Sequence, residues 1–93
     1  MSRNKTYLDY SITDIYKKSV NPVNGDTKYD YVNTRVWIKE KWLCDEVEKK
    51  IERKFYPEVS FYVDRNESID LHDFLTSIGK EKHLIGTYGD HFE

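Results

Sequence analysis

Three histidines near the C-terminal end of the chain are the residues best suited to metal binding or acid–base chemistry. Three aspartates accompany them, which gives the set His72, His83, His91, Asp70, Asp73 and Asp90. A zinc site needs imidazole or carboxylate ligands within about 2.0–2.2 Å of one ion, at spacings that recur among such sites. The spacing of these histidines fits no zinc motif, so we predict neither a metal site nor any cofactor.

Candidate nucleophiles are equally short of the partners that catalysis requires. Ser68 and Ser77 lack the flanking pattern of a nucleophile elbow, and Cys44 has no histidine near it in the sequence. The segment "GTYG" at 86–89 lacks the Lys-Ser/Thr ending of a phosphate-binding loop. The chain is therefore predicted not to be an enzyme. Its single cysteine, which excludes an intrachain disulfide, is interpreted as a small buried residue.

The composition indicates one small folded domain, residues 1–93, without a strong overall charge. Lys and Arg number 15 against 17 Asp and Glu, for a net charge of −2, so no global field attracts nucleic acid or an anionic membrane. Aromatic residues make up 15 %, more than a disordered chain carries. No apolar run approaches the roughly 20 residues of a membrane span, and the N-terminus lacks the apolar core of a secretory signal. We therefore predict a cytoplasmic protein with no membrane partner.

The N-terminal third is predicted to form a β-hairpin within residues 5–38. In "YLDYSITDIY" at 7–16, apolar residues occupy even positions, which is typical of a half-buried strand, although helical spacing and a capping box at Ser11 are an alternative. The strand is favoured because the turn-rich "NPVNGD" follows and "TKYDYVNTRVWI" at 27–38 is again β-like. Asp14 interrupts the apolar face, which indicates a bulge or a strand end nearby.

The remaining elements are two helices and one or two strands. Residues 39–55 are rich in helix formers with an apolar residue every fourth position, although a capping pattern at Asp45 allows a later start. A strand is predicted at 58–64, a helix at 70–78 capped by Asp70, and a short strand at 84–88. The predicted core comprises Leu43, Val47, Ile51, Val59, Phe61, Val63, Phe74, Leu75 and Ile78.

This order predicts an α+β fold, a small antiparallel sheet made of the N-terminal hairpin plus one or two further strands, with two helices packed on one face. Tyr10 and Tyr16 are expected in the core. Alternation along the strands places Tyr62 and the predicted partner-binding residues on the opposite, open face of the sheet. The predicted partner-binding residues on that face are Tyr7, Tyr29, Tyr31, Arg35 and Trp37.

Tyr, Trp and Arg dominate binding hot spots, because they combine a large rigid area with a polar tip. We therefore expect a non-enzymatic protein-interaction module, an inhibitor or antitoxin-like binder of a phage or mobile element, that holds a partner protein through its aromatic face. The alternative is a nucleic-acid-binding domain that uses the exposed aromatics together with basic residues around the hairpin. The sequence is also compatible with a homo-oligomer. The basic residues are Lys17, Lys18, Lys28, Arg35, Lys39 and Lys41.

Overall fold

The protein contains four strands and two helices in the part that the computed structural model describes, residues 8–93. Tyr7, one of the predicted binding residues, lies outside the described residues. In chain order the elements are β1 (Tyr10–Val20), β2 (Thr27–Ile38), α1 (Lys41–Ile51), β3 (Phe61–Val63), α2 (Arg65–Lys82) and β4 (Gly86–Phe92).

The four strands form one sheet in the order β3-β2-β1-β4. The mixed α+β class is confirmed, but the prediction of a purely antiparallel sheet is wrong, because β4 pairs with β1 in parallel. The reason is the helical crossover: α2 connects β3 to β4, and a helix that returns the chain across a sheet delivers the next strand in the same direction as the previous one. Since β3 is antiparallel to β2, and β2 to β1, the direction of β4 matches that of β1.

The N-terminal hairpin is confirmed, and the helical alternative for residues 7–16 is wrong in the described portion, where β1 begins at Tyr10. Its turn is closed by two asparagines. The Asn21 side chain accepts a hydrogen bond from the backbone N–H of Val23 at 2.8 Å, and that of Asn24 accepts one from Asp26 at 2.9 Å. Gly25 adopts a φ of 76°, which a residue without a Cβ reaches at no steric cost.

Helix α1 is shorter than predicted. It begins at Lys41, so the later start suggested by Asp45 is also wrong, and it ends at Ile51 rather than at Phe55. Glu52 closes it in the left-handed conformation, with its N–H bonded to the Glu48 carbonyl at 2.7 Å. Phe55 is nevertheless buried, since the chain after the helix folds back and stacks its ring on Phe61 at 3.8 Å between centroids.

Helix α2 begins five residues earlier than predicted. Asp64, not Asp70, is the N-cap: its carboxylate accepts the Glu67 N–H at 2.8 Å, and the Glu67 side chain accepts the Asp64 N–H at 3.1 Å. This reciprocal pair satisfies two of the free N–H groups at the start of the helix. Ile69, which the later start would have made a packing residue, is 52 % exposed.

One core cluster joins both helices to one face of the sheet. Of the predicted core, Leu43, Val47, Val63 and Leu75 are buried, whereas the half-buried members Ile51, Phe61, Phe74 and Ile78 pack against it. Val59 is 53 % exposed, so its prediction is wrong, because β3 starts only at Phe61. Tyr10 and Cys44 are buried as expected, and Tyr16 is half-buried.

The last strand is anchored to the core through Tyr10. The Tyr10 hydroxyl lies 2.8 Å from the Tyr88 hydroxyl, which in turn lies 2.9 Å from the Thr76 hydroxyl on α2. The Tyr10 ring also lies across Gly86, where a Cβ would overlap it, so only glycine fits at the first residue of β4. Burial, followed by the hydrogen bond to Tyr88, raises the pKa of the Tyr10 phenol above its ordinary range.

The raised pKa of Tyr10 predicts a loss of stability in alkaline solution. Below about pH 10 the phenol is protonated in both the folded and the unfolded chain, so its contribution is constant. Above that pH the unfolded chain loses the proton while folded Tyr10 retains it, and the free energy of unfolding therefore falls as pH rises. Urea denaturation from about pH 9 to about pH 11 measures the free energy of unfolding of the parent protein and of Tyr10→Phe. As pH rises, this free energy should fall more for the parent protein than for the variant. A difference that does not change with pH would contradict this account.

Candidate functional site

A β-bulge in the hairpin controls which side chains share a face. Ile15 is opposite Asn33 but Tyr16 is opposite Tyr31, so Val32 is an extra residue in β2 without a counterpart in β1. Val32 is 50 % exposed. Between the bulge and the hairpin turn, each β2 side chain therefore lies on the opposite side of the sheet from the side that uninterrupted alternation predicts.

The bulge divides the predicted binding residues between two faces. Arg35 and Trp37 are opposite Thr13 and Ser11, on the face that carries no helix, as predicted. Tyr62 is opposite Arg35 and shares that face. In contrast, Tyr29 and Tyr31 lie on the helix side, so the prediction that they share a face with Arg35 and Trp37 is wrong. The period-two rule fails because one residue was inserted between Tyr31 and Asn33.

A buried hydrogen-bond chain occupies the helix side at the bulge. The Thr34 hydroxyl donates to a carboxylate oxygen of Asp14 at 2.7 Å, and it lies 2.6 Å from the Tyr31 hydroxyl. Since the one hydrogen of Thr34 goes to Asp14, Tyr31 is the donor in the second bond. Thr34 is fully buried, so the chain satisfies polar groups that would otherwise be costly to bury.

Arg65, the first residue of α2, packs against this hydrogen-bond chain. The Arg65 guanidinium lies over the Tyr31 ring, 3.8 Å from its centroid, and its Nη1 is 3.9 Å from the second carboxylate oxygen of Asp14. Stacking of this kind attracts the cation to the negative face of the ring. The Arg65 side chain is 46 % exposed. It is therefore held in place from one side and open to a partner on the other.

Four aromatic rings lie between Arg65 and the hairpin turn, beyond the start of α2. We term them the aromatic cluster: Tyr16, Tyr29, Tyr31 and Phe92. Tyr16 meets Tyr31 edge to face at 5.9 Å and stacks on Phe92 at 5.3 Å. Tyr29 meets Phe92 edge to face at 4.9 Å. These are the separations and orientations that aromatic pairs favour. The register explains them, because Phe92 is the β4 residue beside Tyr16.

The aromatic cluster is only partly covered by the protein itself. Tyr29 is 49 % exposed and Phe92 is 52 % exposed, whereas Tyr16 and Tyr31 are half-buried beneath them. The charges beside it are mixed, since Lys28 forms an ion pair with Asp30 at 3.7 Å. Sequence reasoning missed Phe92, Tyr16 and Arg65 as members of this surface. The available signal was Asp14, which indicated an irregularity but not its effect on the residues after it.

The three C-terminal histidines occupy different places in the fold: His72 lies in α2, His83 is the C-cap of that helix, and His91 lies in β4. In the part of the chain that the structure describes, no group of three His, Cys, Asp or Glu side chains gathers where it could hold a metal ion. His72 lies in the middle of α2, not in its first turn, and stacks on Tyr88 at 4.9 Å between centroids. None of the helices within residues 8–93 is long and apolar enough to cross a membrane.

Comparison of the chain with protein-family models, with curated proteins and with solved structures finds no match. The function therefore has to be inferred from the geometry of its surfaces.

The hydrogen-bond chain through Asp14, Thr34 and Tyr31 predicts that Thr34→Val destabilises the protein. Valine keeps the shape and the β-branching but removes the donor to Asp14 and the acceptor for Tyr31, and a buried polar group left unpaired costs about 1–3 kcal/mol. Thr13→Val, on the opposite face of the sheet, is the matched control and should change the free energy of unfolding much less. Urea denaturation at neutral pH measures both. Equal stability of the two variants would show that the chain does not hold the bulge.

Proposed function

We propose that this protein is a non-enzymatic protein-interaction module that binds a partner protein through the aromatic cluster and Arg65. The observation that carries the proposal is the position of the cluster: four rings lie on the helix side of the sheet, beyond the start of α2, with Tyr29 and Phe92 about half exposed. Exposed aromatic residues that adjoin an arginine have the composition of a binding hot spot. An inhibitor or antitoxin-like binder of a phage or mobile element is the form of such a module that we favour.

Pre-organisation supports this use of the cluster. Each exposed ring is already in contact with another ring, so little side-chain freedom remains to be lost when a partner binds. Arg65 is likewise fixed over Tyr31. A partner that covers these side chains removes apolar area from water without first having to order it.

The distribution of charge favours a protein partner over nucleic acid. Lys17 is opposite Asp30 in the hairpin, and Lys28 forms an ion pair with the same aspartate. Lys41 is paired with Asp45 at 3.1 Å. A groove that follows a phosphate backbone needs uninterrupted positive charge, and here the basic residues alternate with acidic ones.

Substitution of the exposed rings tests the proposal. Tyr29→Ala and Phe92→Ala should each weaken binding to the partner by at least ~1 kcal/mol, about fivefold, because hot-spot aromatics contribute on this scale. Tyr62→Ala is the matched control, since Tyr62 is 47 % exposed, close to the 49 % of Tyr29, but lies on the opposite face. The partner is first captured from lysates of the host prepared with and without nuclease, and the affinity of each variant for it is then measured by calorimetry.

The same calorimetry separates the two classes of partner. Phosphate contacts release counterions, so the affinity for nucleic acid falls steeply as salt rises, whereas binding through aromatic anchors depends little on salt. We expect a shallow salt dependence and a loss of affinity only in the two cluster variants. Capture of nucleic acid as the main ligand, or an equal loss with Tyr62→Ala, would overturn the proposal.

A further inference from the structure

A pocket of about 360 Å³ lies between the C-terminal half of α2 and the start of β4, at the opposite end of β4 from the aromatic cluster. This volume lies within the range of small-ligand sites, which begins at about 300 Å³. Its lining residues are Tyr10, Thr76, Gly79, Lys80, His83, Leu84, Gly86 and Tyr88.

Two glycines make room for the Tyr10 ring at the side of the pocket. The Tyr10 ring lies across Gly86, and the Tyr10 hydroxyl reaches the position where Gly79 would carry a Cβ, at 3.4 Å. With no side chain on either glycine, the aromatic edge of Tyr10 forms part of the wall. Leu84 adds an apolar contact, so the pocket offers a place for the body of an organic molecule.

The hydroxyl groups of the pocket leave one hydrogen unused. Tyr10, Tyr88 and Thr76 supply three O–H donors, and only two hydrogen bonds join them. Whichever way the two bonds run, one O–H in the chain is not donated within it. Phenol and alcohol hydroxyls are protonated at neutral pH, so three hydrogens are present. The pocket therefore has a hydrogen-bond donor to offer.

The pocket lining contains a basic side chain and no acidic one. Lys80 lines the pocket, and none of the lining residues that the structure describes is Asp or Glu. The Asp9 carboxylate lies outside the lining, where it accepts the Ile85 N–H at 2.8 Å. The negative end of the α2 dipole is also partly covered, because the Gly79 carbonyl accepts the backbone N–H groups of His83 and Leu84.

We propose that this pocket binds a small organic carboxylate, with Lys80 and the spare hydroxyl hydrogen holding the carboxylate and with Tyr10, Tyr88 and Leu84 contacting its apolar body. One lysine matches the single negative charge of a carboxylate, whereas a phosphate dianion calls for more. Hydrogen bonds to a charged group are the stronger class and set its orientation. The proposal is independent of partner binding by the aromatic cluster.

Titration with benzoate, followed by the backbone amide resonances of the isotope-labelled protein, tests the proposal. We expect saturable shifts at Gly79, Gly86 and Tyr88. Lys80→Gln should weaken benzoate binding by about tenfold, because a charge-assisted hydrogen bond to the carboxylate is lost. Lys82→Gln, two residues further along α2 and outside the lining, is the matched control and should leave binding unchanged.

Benzamide and inorganic phosphate complete the experiment. Benzamide has the same shape without the charge and should bind at least about tenfold more weakly than benzoate. Phosphate should also bind more weakly. Absence of saturable shifts, binding of benzamide or phosphate as tight as that of benzoate, or an effect of Lys82→Gln equal to that of Lys80→Gln would each overturn the proposal. Because Lys80 is exposed, Lys80→Gln leaves the fold intact, and the test stays decisive.

Discussion

The hydrogen bond between Tyr31 and Thr34 constrains the rest of the sheet. Residues three apart in a regular strand face opposite sides, yet these two hydroxyls lie 2.6 Å apart. They meet because Val32 is the extra residue of a bulge, which returns Tyr31 to the side of Thr34. Asp14 supplies the reason for the arrangement, since a carboxylate in an apolar row needs donors, and Thr34 is the residue directly opposite it.

The position of α2 follows from the same place in the sheet. Arg65 can lie over Tyr31 and approach Asp14 only because the capping box of Asp64 and Glu67 starts the helix there. The helix then leaves the hairpin end of the sheet uncovered, which is where the aromatic cluster forms. At its other end α2 meets Tyr10 and Tyr88 and forms one side of the pocket. One helix thus separates two surfaces of different chemistry, one aromatic and open, the other small and lined with hydroxyl groups.

Local patterns in the sequence predict the hairpin and both helices, because they depend on residues close together in the chain. The direction of β4 depends on which edge of the sheet the α2 crossover reaches, and nothing in "GTYGDHF" at 86–92 encodes that choice. The start of α2 was misplaced because Asp64 and Asp70 both carry a capping pattern, and only the position of β3 decides between them. Two of the predicted binding residues were assigned to the wrong face of the sheet, for a different reason. Alternation carries the error at one bulge to every residue beyond it, so Tyr29 and Tyr31 were both misassigned while Arg35 and Trp37 were not.

The register at the bulge is therefore the central claim, and through-space magnetisation transfer between protons tests it most directly. In a two-dimensional NOE spectrum, the Tyr31 ring protons should show cross-peaks to the side chain of Arg65, whose guanidinium carbon lies 3.8 Å from the ring centroid. Without the bulge, Val32 would be opposite Tyr16 and Tyr31 would be opposite Lys17, on the face that carries no helix. Cross-peaks from the Tyr31 ring to the Lys17 side chain, with none to Arg65, would contradict the account.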